Sequence, residues 1–193
     1  MTDIAQRQIT DFLDNEIQLI KEGHTVEIVG RELKLEYVMN IEIDGVVRNI
    51  KFIGTADRID RLDGILRVVD YKTGSVQDDD VVVKDGTVPD KWFQIMFYAW
   101  LYKRKYGVKE PFNACLAVLR SKSNPYKYAE DRRSDSRNVG MLSISDEMFD
   151  DFENLVVGIV SSMLSAETKR FCYPERKCDV CKYCNMSAFC KVE

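Results

Sequence analysis

Two carboxylates and an ammonium, those of Asp57, Asp70 and Lys72, are the first candidates for hydrolytic chemistry in this sequence. Asp63-Gly64 has the composition of a two-residue hairpin turn, which sets Leu62 opposite Ile65 and, in the same register, Asp57 opposite Asp70. Cross-strand partners have Cβ atoms about 5 Å apart on one face, where two like charges destabilise a sheet unless a cation lies between them. Lys72 shares that face by the strand period of two, as does Thr55 across from it. Carboxylate oxygens suit Mg²⁺ or Mn²⁺, and such an ion can activate water and neutralise charge on a phosphodiester. A second turn, Asp44-Gly45, carried along its own strands puts Glu32 opposite Asp57, making a row of three carboxylates if no bulge intervenes. The alternative is a solvated carboxylate pair satisfied by water or by Arg58 and Lys72.

A second chemistry-bearing group lies at the C-terminal end. Of six cysteines, Cys178, Cys181, Cys184 and Cys190 fall within thirteen residues, and Cys172 lies close by. In a chain whose first residues lack the build of a secretion signal, such crowding points to thiolates on one metal centre rather than to disulfides. The spacing does not say which metal. Free thiols packed as small hydrophobes are a poor alternative among Lys177, Asp179, Lys182 and Asn185.

The elements that must position these residues follow from periodicity. Residues 3–22 carry Ile9, Phe12, Leu13, Ile17 and Ile20 at helical spacing, with Gly23 as a stop. Glu32 to Ile43 alternates strictly, as a half-buried strand does. The two Asp-Gly turns then make three strands of an antiparallel meander ending at Lys72. Asp90 is placed to cap a buried helix reaching Tyr106, closed by Gly107, and Phe112 to Arg120 reads as a buried strand. Residues 121–138 read as a long polar loop, Val139 to Ile144 as a short strand, and Ser145-Asp146-Glu147 as the start of a last helix.

At 193 residues, 45% hydrophobic and 31% charged, the chain has material for one real core and is too apolar to be disordered. The expected division is a core over 1–170 and a cysteine-rich tail over 171–193. No window approaches the ~18 apolar residues of a membrane span, so no membrane partner is expected and a cytoplasmic location is. A net charge of −4 excludes a surface that coats polyanions everywhere. Any DNA contact must be local. Between 120 and 137 the basic residues Arg120, Lys122, Lys127, Arg132, Arg133 and Arg137 outnumber Glu130, Asp131 and Asp135, with Tyr126 and Tyr128 interleaved. That composition suits backbone contacts and base stacking, or simply a solvated loop.

The wording around the three central residues is more specific. Gly54-Thr55-Ala56-Asp57-Arg58-Ile59-Asp60, Val68-Val69-Asp70-Tyr71-Lys72-Thr73-Gly74 and Gln94-Ile95-Met96-Phe97-Tyr98, in that order, closely resemble the RecB-like branch of the PD-(D/E)xK nuclease superfamily. The resemblance implies a restriction-endonuclease-like α/β core of order αβββαβ, a central mixed sheet flanked by helices. It implies metal-dependent DNA cleavage with Asp57, Asp70 and the Tyr71 carbonyl as Mg²⁺ or Mn²⁺ ligands. Lys72 would orient the attacking water or stabilise charge on phosphorus, and Gln94 and Tyr98, four apart on one helical face, would border the site. Glu32 matches a recurring family glutamate only weakly, and no metal ligand can be assigned on the first helix. Cys181, Cys184 and Cys190 resemble the C-terminal half of the iron–sulfur staple of AddB-type and CRISPR-associated relatives, with Cys178 or Cys172 completing a [4Fe–4S] or Zn²⁺ site locally. Without a Gly-x4-Gly-Lys-Ser/Thr phosphate loop, a helicase motor would come from a partner subunit or a longer parent chain. A non-catalytic DNA-binding scaffold and a stand-alone CRISPR-associated exonuclease are the competing readings.

Overall fold

Both Asp-Gly pairs put two successive residues in the left-handed region: Asp44 and Gly45 at φ 52° and 73°, Asp63 and Gly64 at φ 53° and 83°. Such turns match the twist of the strands they join and fix register. The computed structural model describes residues 2–121, 124–131 and 143–165. Lys122, Arg132, Arg133, Cys172, Cys178, Cys181, Cys184 and Cys190 lie outside the described residues, as do most of the strand expected from Val139 and the boundary at 170.

After helix α1 (Thr2–Lys21), strands β1 (Val26–Ile43), β2 (Val46–Leu62) and β3 (Ile65–Lys72) form the antiparallel meander. A 3₁₀ turn (Asp78–Val81) and the two-residue β4 (Val82–Val83) lead to α2 (Asp90–Tyr106). Pro89, not Asp90, is the N-cap; Asp90 is the first helical residue, where its charge opposes the helix dipole. Gly107 closes the helix at φ 64°, its N–H donating to the Lys103 carbonyl. Strand β5 (Phe112–Val118), buried throughout, pairs parallel to β3, so the sheet is mixed. The expected loop after it contains β6 (Tyr126–Tyr128), on the sheet edge beside β5, and β7 (Glu130–Asp131), beside β4. Sheet order is β1-β2-β3-β5-β6. Helix α3 (Asp146–Leu164) starts at Ser145, whose hydroxyl accepts the Met148 N–H.

The two sides of this sheet are filled differently. Against α2 and α3 lies the larger core, in which Trp92, Ile95, Met96, Trp100, Leu101 and Phe152 pack on Leu35, Phe52, Ile59, Leu66, Val68 and Leu116. Against α1 lies a smaller cluster of Phe12, Val69, Cys115, Ala117 and Tyr126. The aliphatic stripe of α1 is not what packs there: Ile9, Leu13, Ile17 and Ile20 are each about half exposed, whereas Phe12 and Glu16 face inward. Hydrophobic periodicity located the helix but not the side it presents. Among the described residues no helix is long and apolar enough to cross a membrane.

Candidate active site

The turn at Asp63-Gly64 carries the expected register from Leu62↔Ile65 to Arg58↔Val69, where the β2–β3 ladder ends one pair short of Asp57 and Asp70. β3 nevertheless continues on its other edge, pairing with β5 as far as Lys72↔Val118. The strands β2 and β3 therefore part at Asp57. The backbone N–H of Tyr71, freed by that parting, donates to Asp57 Oδ2 at 2.9 Å. Asp57 thus takes the place of a ladder bond and is tied to the residue between Asp70 and Lys72.

The Asp44-Gly45 register also holds as far as Gly30↔Ile59, with Leu33↔Ala56 and Arg31↔Arg58 on either side of Glu32 and Asp57. At that pair the side-chain alternation slips. Ala56 and Ile59, three apart, both belong to the core under α2, while Arg58 reaches Glu16 of α1. Glu32 adopts φ 48°, which gives the matching slip in β1. Glu32 and Asp57 share the walls of an open cleft of about 580 Å³ with Arg31, Arg58 and Tyr71. The row of three carboxylates does not form a ligand set: among the described residues no three His, Cys, Asp or Glu side chains converge as metal ligands.

Asp70 and Lys72 lie on the α2 side. Asp70 is 4% exposed, and Lys72 Nζ stands 2.8 Å from its Oδ2, too far off line to count as a hydrogen bond, so that buried oxygen has no aligned donor among the described residues. Burial pushes the Asp70 carboxyl above the ordinary aspartate value; the Lys72 ammonium works against this and the nearby Asp57 charge adds to it. Lys72 Nζ also donates to Gln94 Oε1 at 2.7 Å, and Gln94 Nε2 donates to the Tyr98 hydroxyl at 3.3 Å. Helix spacing makes that possible, since residues 94 and 98 share a face. An ideal Cβ on Gly54 would come within 3.0 Å of Tyr98, so glycine lets α2 seat against β2 there. Asp70, Lys72, Gln94 and Tyr98 form one run of contacts, and Asp57 reaches it only through the Tyr71 backbone. Arg120 is exposed beyond the end of β5.

The residues that reading by spacing missed are charged and buried. Arg67 makes a two-pronged contact with Asp60 at 2.8 and 2.9 Å and donates to the Tyr128 hydroxyl. Arg58 Nη2 lies 2.5 Å from Asp60 and 2.8 Å from Glu16, and its Nη1 donates to the Tyr71 hydroxyl at 3.3 Å. The Tyr126 hydroxyl donates to Glu16. Burial opposes charge on both arginines, but the Tyr71 hydroxyl and the Asp60 and Glu16 carboxylates outweigh it for Arg58, and chiefly Asp60 does so for Arg67; both are held charged more firmly than in water. Tyr126 and Tyr128 are therefore committed inward rather than offered to bases. Only Asp60↔Arg67 could have been found from the hairpin register; Glu16 meets Arg58 through tertiary packing alone.

The element order and mixed sheet are those of a restriction-endonuclease-like α/β core. Residues 1–191 match the sequence model of the PD-(D/E)XK nuclease superfamily, and the chain belongs to that superfamily. Its members are nucleases that use divalent metals such as Mg²⁺ or Mn²⁺. The chain is also similar to the Gene 69 protein of Mycobacterium phage D29, 28% identical over 158 residues that cover 82% of this chain and 48% of the phage protein. It thus spans about half the length of that relative. The match to the crystal structure of SSO0001 covers 95% of this chain and 68% of that one, at 17% identity and a TM-score of 0.34.

Proposed function

We propose that this chain is a divalent-metal-dependent DNA nuclease of the RecB-like branch, exonuclease-like, serving as the nuclease module of a helicase–nuclease repair or recombination system. The observation that carries the reading is the pair of aspartates linked through Tyr71, with Lys72 between Asp70 and Gln94. Asp57, Asp70 and the Tyr71 carbonyl are the residues that would hold Mg²⁺ or Mn²⁺. Two carboxylates with a carbonyl suit Mg²⁺, which keeps several waters and takes its remaining oxygens from water and substrate phosphate. The Asp70 oxygen is buried and faces the Lys72 ammonium at 2.8 Å, so this carboxylate sits where added positive charge is favoured. A bound divalent ion would supply charge neutralisation at the phosphodiester and activation of water.

The chain's own residues do the rest. Tyr71 N–H fixes Asp57 so that its carboxylate need not reorganise. Gln94 and Tyr98 hold the Lys72 ammonium in place, where it faces the charge that develops on phosphorus. We further assign Arg120, Lys122, Arg132 and Arg133 to DNA contacts. Residues 171–193 are assigned as a separate tail in which Cys178, Cys181, Cys184 and Cys190 hold a structural [4Fe–4S] cluster or Zn²⁺. A helicase subunit or helicase domain is the expected partner.

The test is cleavage of labelled DNA with Mg²⁺ or Mn²⁺ by wild type, Asp70→Ala and Lys72→Ala. Wild type should cut and both variants should lose at least a hundredfold in rate, the size of one electrostatic group in a preorganised site. Variants that cut like wild type would remove the site assignment, and an inert wild type would leave a DNA-binding scaffold. Elemental analysis of protein as isolated should find iron or zinc; finding neither would remove the tail assignment.

A further inference from the structure

Arg31 and Arg58 are direct partners across the β1–β2 ladder, and both line the cleft that Asp57 also walls. Like charges placed opposite one another weaken a strand pair. For Arg58 the charge is offset twice, by Glu16 and Asp60. Arg31 is exposed, and its guanidinium makes no ion pair or hydrogen bond among the described residues. The cleft therefore has one ion-paired guanidinium behind it and, at its rim, one guanidinium that shares the cleft with Glu32 and Asp57 but is bonded to neither.

We infer that Arg31 is a substrate-contact residue that takes a backbone phosphate of the nucleic acid entering this cleft. A guanidinium presents paired N–H donors that match a phosphate's oxygens, and a phosphate there would give Arg31 the partner that Arg58 already has in Glu16 and Asp60. The contact is to backbone, so it holds a strand without reading its bases. The identity of the anion rests on the nuclease reading; the choice of Arg31 rests on its place across from Arg58 and on its unbonded guanidinium at the cleft.

The experiment is DNA binding in EDTA, where nothing is cut, followed by fluorescence anisotropy over a range of salt. Wild type, Arg31→Ala, Arg31→Lys and Arg48→Ala are compared; Arg48 is exposed near the far turn of the same hairpin. Arg31→Ala should weaken binding roughly tenfold on any sequence and make the log–log salt slope shallower by about one. Arg31→Lys should keep the slope and lose part of the affinity, and Arg48→Ala should match wild type. Thermal melting should show Arg31→Ala as stable as wild type or more so, because a repulsive pair is gone. Unchanged affinity and slope in Arg31→Ala, an equal loss in Arg48→Ala, no binding by wild type, or a sharp fall in melting temperature would each overturn the assignment. A wild type that binds with the expected Arg31 dependence but never cuts would overturn only the nuclease reading.

Discussion

The sheet carries charge on both of its faces, in opposite conditions. On the α1 side, Arg58 and Arg67 are buried, and the fold favours their charge because Glu16, Asp60 and three tyrosine hydroxyls surround them. On the α2 side, Asp70 is the charged group set into an otherwise apolar, aromatic core, and the fold disfavours its charge despite Lys72. The compensated face is structural and the under-compensated one is where an outside cation would relieve the molecule.

The contrast should break most sharply at Asp60. Asp60→Ala strips two buried guanidiniums of a shared partner, and removing one member of such a group is expected to lower stability by about 3–5 kcal/mol. Urea unfolding measures this; a loss under about 1 kcal/mol would mean the network is not holding the face. On the apolar side Ile95→Val, at a fully buried position, should remove about 1 kcal/mol and leave DNA cleavage per folded molecule unchanged.

Asp70→Asn should act with the opposite sign. A carboxyl whose folded value is raised stabilises the fold only at pH below its unfolded value, and that contribution is lost as pH climbs through the raised one. Wild type should therefore fall behind Asp70→Asn in unfolding free energy as pH rises from the ordinary aspartate range to neutrality. Mg²⁺ should stabilise wild type and leave the variant unmoved, and its affinity should weaken toward acid pH as protons compete for Asp70. A wild type that gains on the variant with rising pH would refute this.

The smallest effect belongs to the exposed clasp of His24 and Asp63, 2.7 Å apart at the turn. The Thr25 N–H first, and His24 second, hold the Asp63 carboxyl below its usual range. Its contribution is present above the unfolded aspartate value and lost as pH falls through the lowered one. His24→Ala should narrow the difference in urea midpoint between pH 7 and pH 3 slightly, and by less than any change above.

Sequence carried the local and periodic parts of this molecule. Asp44-Gly45 and Asp63-Gly64 fixed three strands in register because left-handed turns leave few alternatives. Asp57, Asp70 and Lys72 could be picked out from one hairpin and Gln94 and Tyr98 from one helical turn, but the hairpin register did not show that β2 and β3 part before Asp57 meets Asp70. What stayed hidden depends on contacts without periodicity. The side of α1 that packs was chosen by Glu16 meeting Arg58, against the aliphatic stripe. Tyr126 looked like a stacking residue because its alternation with Lys127 and Tyr128 in a polar run gave no hint of an edge strand.

The paired slip at Glu32 and Asp57 has a consequence for how this architecture can vary. Both strands skip together while their pairing stays in step, so the ribbon from Leu33 and Ala56 out to its tip is decoupled in facing from the half that bears Arg58 and Asp60. The outer ribbon nevertheless packs on the main core through Leu35, Ile41, Ile43 and Phe52, so its length is set by what α2 and α3 cover. The slip thus lets one long hairpin serve two faces: its outer half supplies apolar side chains to α2 and α3, and its inner half turns Arg58 and Asp60 toward α1.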